Sequence, residues 1–150
     1  MSPAHAEIHR TVRDRLDQSD QRYTTSRRAV VDALVDADGP ITLPELIDAA
    51  PALAQSSTYR NLAVLEEVGV VRRLVHSSDH ARYELAEHLT EHHHHLICEA
   101  CGAVRDVTLT PELEITLDAA FTSISAAEGF VATHHTIDLY GRCADCRQLS

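Results

Sequence analysis

Ser56-Ser57-Thr58-Tyr59-Arg60-Asn61-Leu62-Ala63-Val64-Leu65-Glu66-Glu67-Val68-Gly69 reads as one helix with a start, a face and a stop. The serines at its front are cap residues, Leu62, Leu65 and Val68 recur at helical spacing, and Gly69 can take the left-handed conformation that ends a helix. Its first turn is polar, aromatic and basic. Immediately after it, Val70 to Val75 and Ala81 to Leu85 read as two strands around the polar turn Ser77-Ser78-Asp79-His80, a hairpin. Upstream, residues 7–18 place Ile8, Val12 and Leu16 four apart on one stripe. The run from Thr24 offers a hydroxyl cap to a helix whose Val30, Val31 and Leu34 face inward, and Asp38-Gly39-Pro40 stops it. A further helix runs from about Leu43 to Ala50, with Pro44 tolerated in its first turn and Pro51 closing it. Helices followed by a hairpin are the order of a winged helix-turn-helix.

The second half has a different texture. It predicts short strands near His93–Cys98 and Val104–Val107, a helix from about Thr110 to Ala127 and a strand from Phe130 to Leu139, a small α+β domain. The expected division is residues 1–86 and 87–150, with 86–91 as the hinge. The chain is therefore predicted to be α+β in class, a winged helix-turn-helix followed by a small α/β domain.

Net charge is −10, so coating nucleic acid by charge alone is excluded. Every basic residue is Arg, and the first 85 residues carry ten Arg against thirteen carboxylates, a balance of −3, whereas the remainder carry three against ten, −7. Arginine clustered in a near-neutral half fits local contact with phosphate or guanine. No window approaches the roughly 20 apolar residues of a membrane span, and the N-terminus lacks the apolar run of a signal peptide. The expectation is a soluble, cytoplasmic chain with no membrane partner. In that setting four cysteines mean metal or redox chemistry rather than disulfides.

Cys98-Glu-Ala-Cys101-Gly and Cys143-Ala-Asp-Cys146 form a paired CxxC set. Each pair brings two thiolates to one ion, Gly102 eases the turn, and four sulfurs close a tetrahedral structural zinc site with no open position. His92-His93-His94-His95 precedes it. In a strand, successive side chains alternate, so His93 and His95 can share one ion while His92 and His94 share another. Each site needs distant partners, and the chain offers Glu84, His88, Asp106, Glu112 or Glu114, and His134 or His135. Mixed histidine and carboxylate ligation suits zinc, iron(II), manganese or nickel. A zinc-dependent hydrolase is the alternative from another class, but no HExxH spacing is present, and an enzyme is not expected.

These residues resemble the ferric uptake regulator family over nearly the whole chain. The resemblance rests on Arg22-Tyr-Thr-Thr-Ser-Arg27, Ser57-Thr-Tyr-Arg-Asn-Leu62, Leu65-Glu-Glu-Val-Gly-Val-Val71, His92 to Gly102 and Gly141-Arg-Cys-Ala-Asp-Cys146. It implies a homodimeric repressor that binds double-stranded operator DNA when a regulatory divalent metal, Zn2+ or Fe2+, is bound. It further implies an N-terminal winged helix, a C-terminal dimerisation domain and control of metal-homeostasis genes. Carried over residue by residue, it puts a minor-groove contact on Arg22, a phosphate contact on Arg27, and recognition-helix contacts on Ser57, Thr58, Tyr59 and Arg60. It assigns structural zinc to Cys98, Cys101, Cys143 and Cys146, and a regulatory site to Glu84, His93, His95 and Asp106. His88 stands in for a ligand that the family often supplies where this chain has Pro40. A second site falls on His92, His94, Glu114 and His135. Zinc is the preferred sensed metal because Pro40 removes a ligand typical of iron sensors, with iron next. Asp106 makes a peroxide-sensing member the alternative within the family.

Overall fold

In the computed structural model, which describes residues 3–75 and 80–148, the chain divides into two compact units, Met1–Glu91 and His92–Ser150. The first opens with helices α1 (Pro3–Gln18) and α2 (Thr25–Asp36), then strand β1 (Ile41–Thr42) and helices α3 (Leu43–Ala49) and α4 (Gln55–Glu67). Strands β2 (Val71–Leu74) and β3 (Arg82–Leu85) follow. Thr24 caps α2 by accepting from the Arg27 N–H, and Thr42 caps α3 by accepting from that of Glu45, each satisfying a donor left over at a helix start. Gly69, with φ +79°, ends α4. Its N–H donates to the Glu66 carbonyl while that of Val70 donates to Leu65, the two bonds of a Schellman stop.

One core fills this unit. Val12 and Leu16 of α1, Val30, Val31 and Leu34 of α2, Leu46 of α3, Leu62 and Leu65 of α4, Val70 just before β2, and Val71, Tyr83 and Leu85 of the sheet are all buried in it. The hairpin strands pair antiparallel with Arg72 opposite Glu84, and β1, which the sequence did not predict, adds a third strand outside β3. The predicted hairpin turn at Ser77, Ser78 and Asp79 lies outside the described residues. A single 3-10 turn, Glu87–Leu89, occupies the predicted hinge and belongs to the first unit.

The second unit is built on strand β4 (His94–Cys98), flanked by β5 (Val104–Val107) and β6 (Asp138–Gly141), with helix α5 (Pro111–Ala127) between the last two and a short helix α6 (Ala144–Arg147) at the end. The order is β5-β4-β6, antiparallel on one side and parallel on the other. The predicted strand from Phe130 is corrected here. Only Asp138–Gly141 forms a strand, in register with His95–Cys98 of β4, while Ile137 just before it is held by the His95 N–H and by His94 Nδ1. Little of this unit is buried. Ile97, Cys98 and Val104 are its buried apolar residues among those described, and α5 buries none, leaving Ile115 69% and Ile124 60% exposed. No helix among the described residues is long and apolar enough to cross a membrane.

Candidate metal centres and nucleic-acid interface

The four cysteines meet. Cys98 ends β4, Cys101 follows in the turn, and Cys143 caps α6, which carries Cys146. All four sulfurs lie within 4.8 Å of one another. The Cys101 and Cys143 sulfurs are 3.9 Å apart. A disulfide needs about 2.05 Å. A tetrahedral zinc–thiolate site with bonds of about 2.3 Å has sulfur–sulfur edges of about 3.8 Å. The spacing therefore fits an ion rather than a covalent bridge. The backbone N–H groups of Cys101 and Cys143 donate to the Cys98 sulfur, and they lower its pKa to about 6. Cys146 is pushed up to about 12, chiefly by proton sharing with the Cys143 and Cys101 thiols. Four thiolates at this spacing repel one another and ionise together only around a cation.

The histidine strand sorts as alternation requires. His92 and His94 turn to the α5 side, where Glu114, in the first turn of α5, meets them. Glu114 Oε1 is 2.6 Å from His94 Nε2, and its Oε2 is 2.9 Å from His135 Nε2 and 3.4 Å from His92 Nε2. His92 and His135 are 3.2 Å apart at Nε2. These separations bracket the edge of about 3.3 Å expected for nitrogen and oxygen donors at 2.0–2.1 Å from zinc. The pKa of Glu114 is lowered: burial raises it, but hydrogen bonds from His94 and His135 and the charge of His92 outweigh that. His94 is only 1% exposed, and its Nδ1 accepts the Ile137 N–H. His134 instead turns to Thr133, and Glu112 is exposed.

On the opposite face, His95 stands directly across from Asp106 in the β4–β5 register. Asp106 Oδ1 is 3.6 Å from His95 Nε2 and 3.7 Å from His93 Nε2, again the edge of a small coordination polyhedron. The second unit thus gathers three donors here. Glu84 belongs to the first unit, on β3 opposite Arg72, whose Nη1 is 3.6 Å from its carboxylate. His88 sits on the 3-10 turn, its pKa lowered by burial and by the charge of Arg15. Pro40 offers no side-chain donor, and its carbonyl accepts from Arg82.

At the front of α4 the helix begins at Gln55 with Ala54 as an N-cap that has no side-chain bond, so the serines lie inside the first turn. Tyr59 is 58% exposed, Arg60 is exposed and Ser57 half-buried, leaving a polar, aromatic and basic edge. Thr58 is corrected. It is 0% exposed, and its hydroxyl donates to the Ala54 carbonyl, so its side chain faces the core and not a ligand. Arg22 is exposed, whereas Arg27 donates through Nε to Asn61 of α4 and through Nη1 to the Arg22 carbonyl. Arg27 therefore ties the loop before α2 to the exposed edge of α4. Asn61 was not anticipated, and nothing in its local sequence marks that role.

A winged helix followed by a small domain with one four-thiolate cluster and two histidine–carboxylate sets defines a class: metal-dependent transcription regulators. The comparisons agree. The model of the ferric uptake regulator family matches residues 18–140. The chain is 28% identical over 131 residues to the peroxide-responsive repressor PerR of Staphylococcus epidermidis, covering 85% of this chain and 82% of that protein. The structure of the Helicobacter pylori ferric uptake regulator Fur superposes with a TM-score of 0.72 at 24% identity, covering 95% of this chain and 93% of the other. A zinc uptake regulator complexed with zinc and DNA gives 0.55 at 24% identity, covering 99% and 98%. The chain belongs to the ferric uptake regulator family.

Proposed function

We propose that the chain is a homodimeric repressor of metal-homeostasis genes, and that it binds operator DNA when zinc occupies a regulatory site formed by His93, His95 and Asp106 with Glu84. The observation that carries this reading is the convergence of His93 and His95 on Asp106, on the strand that ends in the four-cysteine cluster. Two nitrogens and two carboxylates make a four-donor set, which suits tetrahedral zinc, and Pro40 withholds the fifth donor that iron(II) would prefer. His88, on the 3-10 turn, is not among the side chains whose donor atoms gather with His93 and His95, so it is left out of the set. Structural zinc belongs to the four cysteines, and a further ion to His92, His94, Glu114 and His135. The DNA-reading part is residues 1–86 and the dimerising part residues 87–150.

Exposed Tyr59 and Arg60 on α4, with half-buried Ser57 beside them, fit the major groove, where an aromatic ring packs on thymine methyls and an arginine reaches phosphate or guanine. Arg22 suits a narrow minor groove, and Arg27 supports it. The apolar residues left exposed on α5 and β6 fit a second copy of the chain. A dimer reads two half-sites only when its recognition helices are about one DNA turn apart, so an ion that ties the DNA-reading part to the dimerising part raises affinity by population. Metal and DNA then strengthen each other's binding equally.

A peroxide-responsive reading is favoured by Asp106 and by the PerR relatives. Operator gel shifts on protein purified without added metal, titrated with zinc, iron(II), manganese or nickel, test both. Zinc should restore binding and a chelator remove it. Restoration by iron(II) alone, abolished by peroxide, replaces the zinc reading. Binding that ignores the chelator overturns metal dependence.

A further inference from the structure

In both histidine–carboxylate sets one carboxylate faces the Nε2 atoms, and a different carboxylate faces the far side of one ring. In the first set, Asp106 faces Nε2 of His93 and His95, while Asp138 Oδ1 lies 3.3 Å from His95 Nδ1 in a hydrogen bond. In the second, Glu114 faces Nε2 of His92, His94 and His135, while Asp118 Oδ1 lies 3.3 Å from His135 Nδ1. The two outer carboxylates come from different elements, β6 and α5.

A carboxylate accepts and does not donate, so the Asp138 hydrogen bond puts hydrogen on His95 Nδ1 and a lone pair on its Nε2, whose facing carboxylate Asp106 is 3.6 Å away. His135, with Glu114 2.9 Å from Nε2 and Asp118 3.3 Å from Nδ1, takes this form when an ion displaces the Nε2 hydrogen. That lone pair is the one turned toward Asp106 or Glu114, where the ion belongs. The outer carboxylate also fixes ring rotation and makes the ligand nitrogen more basic. The fold supplies the geometry. Asp138 is the direct register partner of His95 across the parallel β4–β6 pair, and Asp118 lies four residues, about one helical turn, after Glu114. Asp138 is held the more firmly, at 30% side-chain exposure against 66% for Asp118.

We propose that Asp138 and Asp118 are positioning residues that hold His95 and His135 in the Nε2-ligating form, one for each centre. For Asp138 this rests on the regulatory reading given above. A purely structural role would leave ring tautomers unchanged, so the test reads both affinity and tautomer. The probe is cobalt(II), titrated into the full chain carrying zinc in its four-cysteine cluster. Asp138→Ala is measured with the second centre disabled by Glu114→Gln, and Asp118→Ala with the first disabled by Asp106→Asn. Each should weaken cobalt binding about 10- to 100-fold and leave the cysteine-bound zinc in place. Nitrogen-15 NMR of the metal-free protein should show His95, or His135 in a Glu114→Gln background that leaves its Nε2 free to accept, shifting away from the Nδ1–H form, with Asp138→Glu partly restoring both readouts for His95. Unchanged affinity, or weakened affinity with an unchanged tautomer, overturns the proposal. Loss of β-sheet amide protection in Asp138→Ala reassigns Asp138 to strand pairing and overturns its part, while Asp118, on an exposed helix face, is tested independently. A His93→Ala, His95→Ala double variant serves as control. If it binds cobalt as the parent does, the regulatory reading itself fails, whatever Asp118 does.

Discussion

Removing the ion proposed for the four cysteines should unfold one unit of the chain and spare the other. In the second unit, Ile97 and Val104 are the buried apolar side chains other than the ligand Cys98 among those described. At about 1.5–3 kcal/mol each they contribute roughly 3–6 kcal/mol. A structural zinc contributes about 10–16 kcal/mol of binding free energy at neutral pH. Within one chain the ion therefore stabilises the unit more than its buried apolar side chains do. The core of the first unit is independent of this centre, because it joins four helices and the hairpin. The assay is amide hydrogen exchange followed by mass spectrometry, on protein stripped by chelator under reducing conditions and on Cys143→Ser. Amides of β4, β5 and β6 should lose their protection, since a deficit of 10 kcal/mol corresponds to about seven powers of ten in exchange. Amides of α2 and α4 should exchange as before. Retention of protection in β4 and β6 to within tenfold of the loaded protein would refute the argument, as would parallel loss in both units.

Other substitutions separate the roles assigned along the chain. Arg60→Ala should cost about 1–3 kcal/mol of operator affinity with no loss of thermal stability, read by gel shift and melting. Thr58→Val should do the reverse, lowering stability by about 1 kcal/mol through loss of the hydroxyl bond to Ala54 while leaving the affinity of the folded protein unchanged. If Glu84 is a ligand of the proposed regulatory ion, Arg72→Gln should tighten metal binding several-fold, because Arg72 sits 3.6 Å from Glu84 and competes for its carboxylate; weaker binding on cobalt titration would contradict this. The lowered pKa of His88 means that the unfolded chain takes up its proton first. Its contribution to stability is therefore fully present above about pH 6.5 and is lost as pH falls from there toward the depressed folded value, and His88→Gln should flatten that limb in urea titrations at pH 7.5 and 5.5.

What the sequence showed depended on whether the decisive physics was local. Gly69 announced its helix stop because a left-handed residue after Leu65 and Val68 is a property of a few neighbours, and both Schellman bonds are present. Thr58 was misread although its position held the answer. It stands four residues before Leu62 and seven before Leu65, on the same helical face, so periodicity already placed it inward. The strand predicted from Phe130 failed for a non-local reason. Phe130 and Val131 have strand-forming side chains, but a strand extends only where a partner lies beside it, and β4 pairs in register only with Asp138–Gly141. The histidine alternation was legible because it is a period of two. Asp118 and Asp138 were not, since an outer carboxylate is defined by which ring nitrogen it faces, and only the fold decides that.

The four consecutive histidines also explain why the sensing strand carries the cysteine cluster at its end. In most strands a slip of one residue moves apolar side chains into water and is strongly resisted. Here it would exchange His92 and His94 for His93 and His95 on one face, so that both faces would still present imidazole, and the histidines alone specify their register weakly. Cys98 closes β4 and removes that ambiguity. Its N–H donates to the Ala103 carbonyl, its sulfur accepts the N–H groups of Cys101 and Cys143, and it pairs in register with Gly141. An ion on the four sulfurs therefore sets which histidines face Asp106 and which face Glu114. The proposed fastener and the proposed sensor are separate centres, yet the first fixes the donor set of the second. Deleting Leu96, which shortens the distance between them by one residue, should leave four histidines and four cysteines in the chain while pairing the wrong imidazoles with each carboxylate. The expected result is retained zinc at the cysteines with cobalt affinity reduced by at least tenfold at the Glu114 centre, where Glu91 takes the place of an imidazole, while His92 and His94 replace His93 and His95 beside Asp106. Cobalt binding equal to the parent's would show that the strand sets its register without the cysteines.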